Sequence, residues 1–256
     1  MQQIVDLTKP IKEYPDDPWF MKVKIKHKPH HKAKWLIRLF GLPFKLFPKS
    51  FVGWADDTIE KMGVHATTHI DAPWHYTPSL NGEKAKTIEQ IPLDICHGEG
   101  LVIDMCHKQD FDPITAADIQ SFLTENDLEL KPGMIVLIKT GRDKFIGTKD
   151  YPHKGTGMSA EATRFLIEAG VKVMGIDSWG WDIPLKYQIK KARQDQNDQL
   201  FWEAHLVGQQ EEYWHMEQLV NLDALPLSGF RVGVFPLKIV GASAAPARVV
   251  AFLEGA

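Results

Sequence analysis

The sequence predicts a single α/β domain with more strand than a simple doubly wound sheet needs. Three observations lead there. Short β-like runs alternate with helix-like runs through the chain. Apolar residues are 44% and charged residues 25% of 256, enough apolar mass for a real core and too much for a disordered chain. No break in composition divides the sequence, so one domain over 1–256 is expected.

Leu101-Val102-Ile103-Asp104-Met105 follows Gly100 and reads as a buried strand. Thr115 with Asp118 marks a helix start, and Ala116, Ile119 and Leu123 share one face. Pro132-Gly133 punctuates before a second strand, Met134-Ile135-Val136-Leu137-Ile138. Ser159 caps a helix whose apolar positions Ala162, Phe165, Leu166 and Ala169 follow the 3.6 period, and Gly170 ends it. Val171, Val173 and Ile176 begin the next strand. Arg231-Val232-Gly233-Val234-Phe235 and Arg248-Val249-Val250-Ala251-Phe252 close the chain as strands. No strand-to-helix junction carries a Gly-rich phosphate loop; Cys106-His107-Lys108-Gln109 follows Met105, which argues against dinucleotide and P-loop sites.

Composition narrows the function further. No run approaches the roughly 18 apolar residues of a membrane span, and Met1-Gln2-Gln3-Ile4-Val5-Asp6 does not read as a signal peptide. Two cysteines, Cys96 and Cys106, build no disulfide scaffold, so a reducing, cytoplasmic setting is expected. The net charge of −3 conceals an asymmetry. Nine basic and no acidic residues lie between Lys22 and Lys49, and the rest of the chain carries 21 basic against 33 acidic residues, a net of −12. The same segment holds Trp35, Leu36, Ile37, Leu39, Phe40, Leu42, Phe44, Leu46 and Phe47. It reads as an inserted arm at about 22–49 whose apolar side packs on its own subunit or a neighbour. One short arm on an acidic body is a poor footprint for nucleic acid or membrane, so neither is expected as a partner. A homodimer or homotetramer is.

The chemistry concentrates in one place. Three of eleven histidines fall within His65-Ala-Thr-Thr-His69-Ile-Asp71-Ala-Pro-Trp-His75. Imidazole and carboxylate suit zinc or manganese when several converge. A lone histidine is more often a satisfied core or surface residue; three with an aspartate in eleven residues are hard to read that way. Thr67, Thr68, Ile70 and Pro73 argue against a helix, whereas an extended segment puts His69 and Asp71 on one side. Spacing alone leaves the remaining ligands open among Asp177, Glu203, His205, Glu211, Glu212, His215 and Glu217. Trp74, Trp179, Trp181 and Trp202 lie close in sequence to these candidates and suit core packing or an aryl pocket. The Cys96-His97 and Cys106-His107 pairs read as ordinary strand-end residues. Ser159 and Ser243 lack a nucleophile-elbow context.

The His65–His75 segment resembles the His-x-Gly-Thr-His-x-Asp-x-Pro-x-His signature of the metal-dependent cyclase/hydrolase family, which includes bacterial kynurenine formamidase and isatin hydrolase. Asp6-Leu7-Thr8 with Tyr14-Pro15-Asp16-Asp17-Pro18 is similar to its opening, and Asn221-Leu222-Asp223-Ala224-Leu225-Pro226 to its closing segment. The resemblance implies a mixed β-sheet, barrel-like core with flanking helices, of the swivelling β/β/α kind. It implies that His65, His69 and Asp71 are metal ligands and that His75 transfers protons. His205 and Glu217 would complete a second metal position with Asp71 bridging, so one or two ions are implied. Three departures stand out: Thr67 replaces the family glycine, Tyr14 stands where kynurenine formamidase carries a substrate-contacting Trp, and the arm looks inserted.

The resulting expectation is a cytoplasmic, zinc- or manganese-dependent hydrolase acting by metal-activated water on an amide of a small, aromatic substrate. This is an arylformamidase-like activity of the N-formylkynurenine class, in tryptophan catabolism. The alternatives are an isatin or lactone hydrolase, or a cyclase acting on a non-tryptophan-derived acid. A different class of alternative is a structural-metal protein whose basic arm engages nucleic acid or membrane.

Overall fold

The computed structural model describes residues 3–253; the ends of the expected 1–256 domain lie outside them. The chain divides into two compact units, one running to Pro10 and resuming at Val64, the other Ile11–Gly63. In chain order the first elements are β1 (Gln3–Asp6), β2 (Lys24–Lys26), helix α1 (His31–Leu39), β3 (Thr58–Lys61), β4 (His69–Asp71) and α2 (Pro73–Tyr76). Next come β5 (Ser79–Leu80), β6 (Glu83–Lys84), β7 (His97–Asp104), α3 (Ala116–Glu125), β8 (Ile135–Lys139) and α4 (Ala160–Glu168). The chain continues through β9 (Val173–Ile176), α5 (Leu185–Asp195), α6 (Glu203–Leu206), β10 (Trp214–Glu217), β11 (Phe230–Pro236) and β12 (Ala244–Leu253).

The arm read at 22–49 is part of the longer unit Ile11–Gly63. There β2 pairs antiparallel with β3, and Lys24 binds Glu60 at 2.8 Å. Helix α1 buries only Ala33, leaving Trp35, Leu36 and Leu39 exposed. Trp35, Phe44, Phe47 and Phe51 form an edge-to-face ladder with centroids 5.0, 5.6 and 5.5 Å apart.

The larger unit is a mixed β-barrel. Its sheet runs β1-β12-β11-β7-β8-β9-β10-β4, and β4 also pairs with β12, closing seven strands with β1 outside the ring on β12. Strands β7 to β10 are parallel and the remaining pairings antiparallel. The long β12 makes closure possible: Ala244, Ala245 and Pro246 pair with β4 before the strand continues along β11 and β1.

Alternation of side chains sorts two cores. Val102, Ile135, Leu137, Val173, Met216, Val232 and Val249 share one buried cluster. Leu101, Ile103, Val136, Ile138, Met174 and Ile176 share the other with Ile119, Leu123, Ala162, Leu166 and Ile167 from α3 and α4. These helices form for local reasons. Thr115 Oγ1 accepts from Asp118 N (3.1 Å) while the Asp118 carboxylate accepts from Thr115 N (2.7 Å), a capping box at α3. Ser159 Oγ accepts from Ala162 N (3.1 Å) at α4, and Gly170 (φ +87°) ends that turn. Among the described residues no helix is long and apolar enough to cross a membrane.

One close backbone approach links barrel to site. A Cβ on Gly157 would sit 2.1 Å from the carbonyl carbon and 2.3 Å from the oxygen of Asp182, whose side chain caps α6. Because both contacts are backbone, no rotamer change relieves them. Overpacking of this kind costs about 1–3 kcal/mol. Gly157→Ala should therefore lower the melting temperature by roughly 2–12 °C for a chain of this size, read by thermal denaturation; an unchanged melt would contradict the packing described.

Candidate metal centre

The antiparallel pairing of β4 and β10 builds the centre. His69 lies opposite Glu217, Ile70 opposite Met216 and Asp71 opposite His215. Ile70 and Met216 belong to the first core cluster, so His69, Asp71, His215 and Glu217 project together from the other face of the two strands. Two further histidines join them. His65 precedes β4, and His205 lies on α6.

Asp71 is the meeting point. His65 Nδ1 is 2.9 Å and His69 Nε2 3.2 Å from its Oδ1. On the other side, His215 Nε2 is 3.4 Å and His205 Nε2 4.0 Å from Oδ2. Glu217 Oε1 lies 3.3 Å from His215 Nε2 and 3.6 Å from His205 Nε2, while its Oε2 is 3.5 Å from His69 Nε2. Ligand-type atoms thus converge in two groups sharing Asp71: His65, His69 and Asp71, and Asp71, His205, His215 and Glu217.

The outward nitrogen of each of these histidines is occupied. His69 Nδ1 donates to the Thr67 carbonyl (2.7 Å), His65 Nε2 lies 3.1 Å from Ser243 Oγ, and His215 Nδ1 lies 2.9 Å from the Tyr76 hydroxyl. His205 Nδ1 is hydrogen-bonded to the Asp182 carboxylate, which also accepts from the backbone of Ala204 and His205. The inward nitrogens therefore face the carboxylates, the outer-partner arrangement that orients metal-binding imidazoles. His69 Nε2 and both oxygens of Asp71 are buried without a hydrogen-bond partner. Buried polar atoms left so are costly, and a divalent ion would satisfy all three. The residues present fit a metal.

Charge follows the same logic. Burial alone would raise the Asp71 carboxyl, but the imidazoles of His65, His75 and His69 hold it well below the usual carboxylate range. Burial opposes charge on His215, yet its contacts with Asp71 and Glu217 hold it at about 9. His75 lies beside the groups without belonging to either, its Nε2 3.6 Å from Asp71 Oδ2. Burial drives it down to about 4, with His65 and His205 adding to the effect against the pull of Asp71.

The structure thus brings together His65, His69, Asp71, His75, His205 and Glu217. Tyr14 belongs to the smaller unit, where Lys12 Nζ lies 4.9 Å from its ring centroid. Thr67 is buried and its hydroxyl donates to the Lys9 carbonyl (3.1 Å), so the residue in the family glycine's place is tied into the loop. His215, one of several open alternatives by spacing, joins the second group; its signal was the two-residue interval to Glu217 on a strand. Asp177 does not join. Its carboxylate accepts from Thr140 N (2.8 Å), Thr140 Oγ1 (2.5 Å) and Gly141 N (2.8 Å). Asp182 and Ser243 carried no sequence signal for their supporting contacts.

Comparison with known proteins places the family and the fold. A family model described as "Putative cyclase" matches residues 5–183, and the chain belongs to that family. Cyclase-like protein 1 of Arabidopsis thaliana is 22% identical over 202 residues, covering 74% of this chain and 67% of that protein. Kynurenine formamidase of Paracidovorax citrulli is 28% identical over 189 residues, covering 74% and 76%. The structure of isatin hydrolase A from Labrenzia aggregata, bound to benzyl benzoate, matches with a TM-score of 0.75 at 24% identity, over 99% of this chain and 94% of that one.

The His215 shift sets a pH dependence. Its folded value of about 9 exceeds the ordinary 6.5, so in metal-free protein its charge contributes stability that is complete below pH 6.5 and lost as pH rises to about 9. His65 is also raised and acts in the same sense. His75, held down, adds stability that is lost only below pH 6.5. Denaturant unfolding of metal-free protein should show stability falling from pH 6.5 to 9, with a shallower fall in His215→Asn. Stability rising across that window would contradict the charge arrangement.

Proposed function

We propose that this chain is a divalent-metal-dependent hydrolase of an amide bond in a small aromatic substrate, arylformamidase-like and of the N-formylkynurenine class. The observation that carries the reading is the ring of inward-facing imidazoles and carboxylates around the unsatisfied oxygens of Asp71. An ion held there would supply Lewis acidity and would lower the pKa of a bound water to near neutrality. Three nitrogen or oxygen ligands in the first group, and imidazoles with carboxylates in the second, suit zinc or manganese in one or both positions.

The chain's own residues account for the rest. His75 is neutral at physiological pH, so its Nε2 can accept a proton from an attacking water and return it to the departing nitrogen, which leaves poorly unless protonated. Access comes from its side. The side chains of His65 and His75 are 21% and 24% exposed, whereas His69 and His215 are fully buried. Behind His215, Trp181 stacks at 4.9 Å and Tyr76 at 5.4 Å, closing the deep face to water.

Aromatic surface lies at the open side. The half-buried Trp202 stacks on His205 with centroids 4.4 Å apart and meets His75 edge-on at 5.3 Å. A planar aryl group has a matching face there. The proposed substrate contact of Tyr14 rests on the resemblance of its segment. The kynurenine formamidase relatives support an open-chain formamide and a place in tryptophan catabolism. The isatin hydrolase likeness supports a second reading, a cyclic amide opened by the same residues.

Both cysteines are free, which supports a reducing, cytoplasmic setting. Leu39 and Phe40 are 84% and 83% exposed, which supports self-association through the smaller unit into a homodimer or homotetramer. Sedimentation should show an oligomer that dissociates when residues 22–49 are replaced by a short linker, with metal content kept; a monomeric intact chain would refute the assembly.

Turnover of N-formylkynurenine or isatin should disappear with a strong chelator and return with zinc or manganese. His75→Ala should keep its metal and lose about 10²–10⁴-fold in kcat. Full activity in protein shown by elemental analysis to be metal-free would overturn the reading, and loss of metal from His75→Ala would overturn the role given to that residue.

A further inference from the structure

His69 and Asp71 are fixed by strand pairing on both sides, because β4 is bonded to β10 and to β12. His65 has no such support. It lies among residues 64–68, which belong to no helix or strand. Its imidazole must nevertheless reach Asp71 at 2.9 Å. Something else has to hold its backbone.

Gln218 does so. It follows Glu217 directly and is 1% exposed. Its Nε2 donates to the His65 carbonyl (3.1 Å), and its Oε1 accepts from the buried Lys9 ammonium (2.9 Å). The lacing is repeated nearby. Thr68 Oγ1 donates to the Gln218 carbonyl (2.5 Å) and accepts from Lys9 N (2.8 Å). The backbone there is left-handed (φ +58°), and Gln218 N donates to the Ser178 carbonyl (3.0 Å). Glycine or asparagine would adopt that conformation at lower cost. Neither has the reach of glutamine. Leucine lacks the polar atoms, and ionised glutamate accepts from an ammonium but cannot donate to a carbonyl.

We propose that Gln218 is a positioning residue of the metal centre: by bridging the Lys9 ammonium and the His65 carbonyl, it sets the His65 imidazole against Asp71. The inference rests on the metal reading above and concerns the His65, His69 and Asp71 group. Asp71, His205, His215 and Glu217 do not need the bridge to converge. Loss of the bridge should therefore weaken one group selectively.

The test is cobalt(II) titration of metal-free protein, followed by visible absorption, with thermal melts as a control for folding. Gln218→Leu and Gln218→Glu should weaken the cobalt step that His65→Ala also impairs, by about 10–100-fold, the range for lost outer partners of metal ligands. In the His65→Ala background Gln218→Leu should add almost nothing, whereas with His205→Ala the two effects should add. Gln218→Asn separates backbone from side chain. It suits the left-handed position but falls short of His65, so it should be defective too, and it carries the test if Gln218→Leu does not fold. Cobalt affinity and absorption unchanged in Gln218→Asn, or full additivity with His65→Ala, would overturn the proposal while leaving the metal reading intact. Absence of cobalt binding by the unaltered protein would overturn both.

Discussion

The register between β4 and β10 is the constraint on which the site depends. With Asp71 opposite His215 and His69 opposite Glu217, four ligand-type side chains leave the same face of two neighbouring strands. A slip of one residue would turn Ile70 or Met216 into the site and drive a charge into the barrel. Closure of the barrel enforces the register, since β4 is also held by Ala244, Ala245 and Pro246. The packing of Ile70 and Met216 in the barrel core thus fixes where the polar face must point.

Concentrating so many ionisable groups beneath the surface carries a desolvation cost that only mutual partnership offsets. The outward nitrogens of the ligand-type histidines are tied to a carbonyl, a serine, an aspartate and a tyrosine, all within the larger unit. Within the cluster, the buried atoms left without a hydrogen-bond partner are both carboxylate oxygens of Asp71 and His69 Nε2. A structural ion would be closed off by protein ligands on every side. Here a neutral histidine outside both ligand groups borders the accessible side, an arrangement suited to moving protons.

Much of this was legible in the sequence where one period or one cap dominates. Strands β7 and β8 and helices α3 and α4 follow from apolar runs, a Thr–Asp capping box, a serine cap and a terminal glycine. The His65–His75 segment stood out because three imidazoles and a carboxylate cluster with residues that disfavour a helix. Helix α5 was not read from the sequence: Leu185, Ile189 and Ala192 are spaced as on one helix face, but the segment is dominated by polar and basic residues and buries only Gln188. Strand β10 is short, and its polar residues face the site. Trp214-His215-Met216-Glu217 nevertheless alternates with period two, the pattern that brings His215 and Glu217 together. Asp182, Ser243 and Gln218 act through approaches made only in the folded chain, so no local pattern identifies them.

The central claim is that Asp71 sits between two clusters of metal ligands. Crystals grown with zinc or manganese and measured on both sides of the metal's absorption edge test it most directly. The account predicts an anomalous peak bonded to Asp71 at about 2.0–2.2 Å, with His65 and His69 or with His205, His215 and Glu217 as its other protein ligands. No peak at Asp71 in protein that binds the metal in solution, or a peak held by other residues, would contradict it.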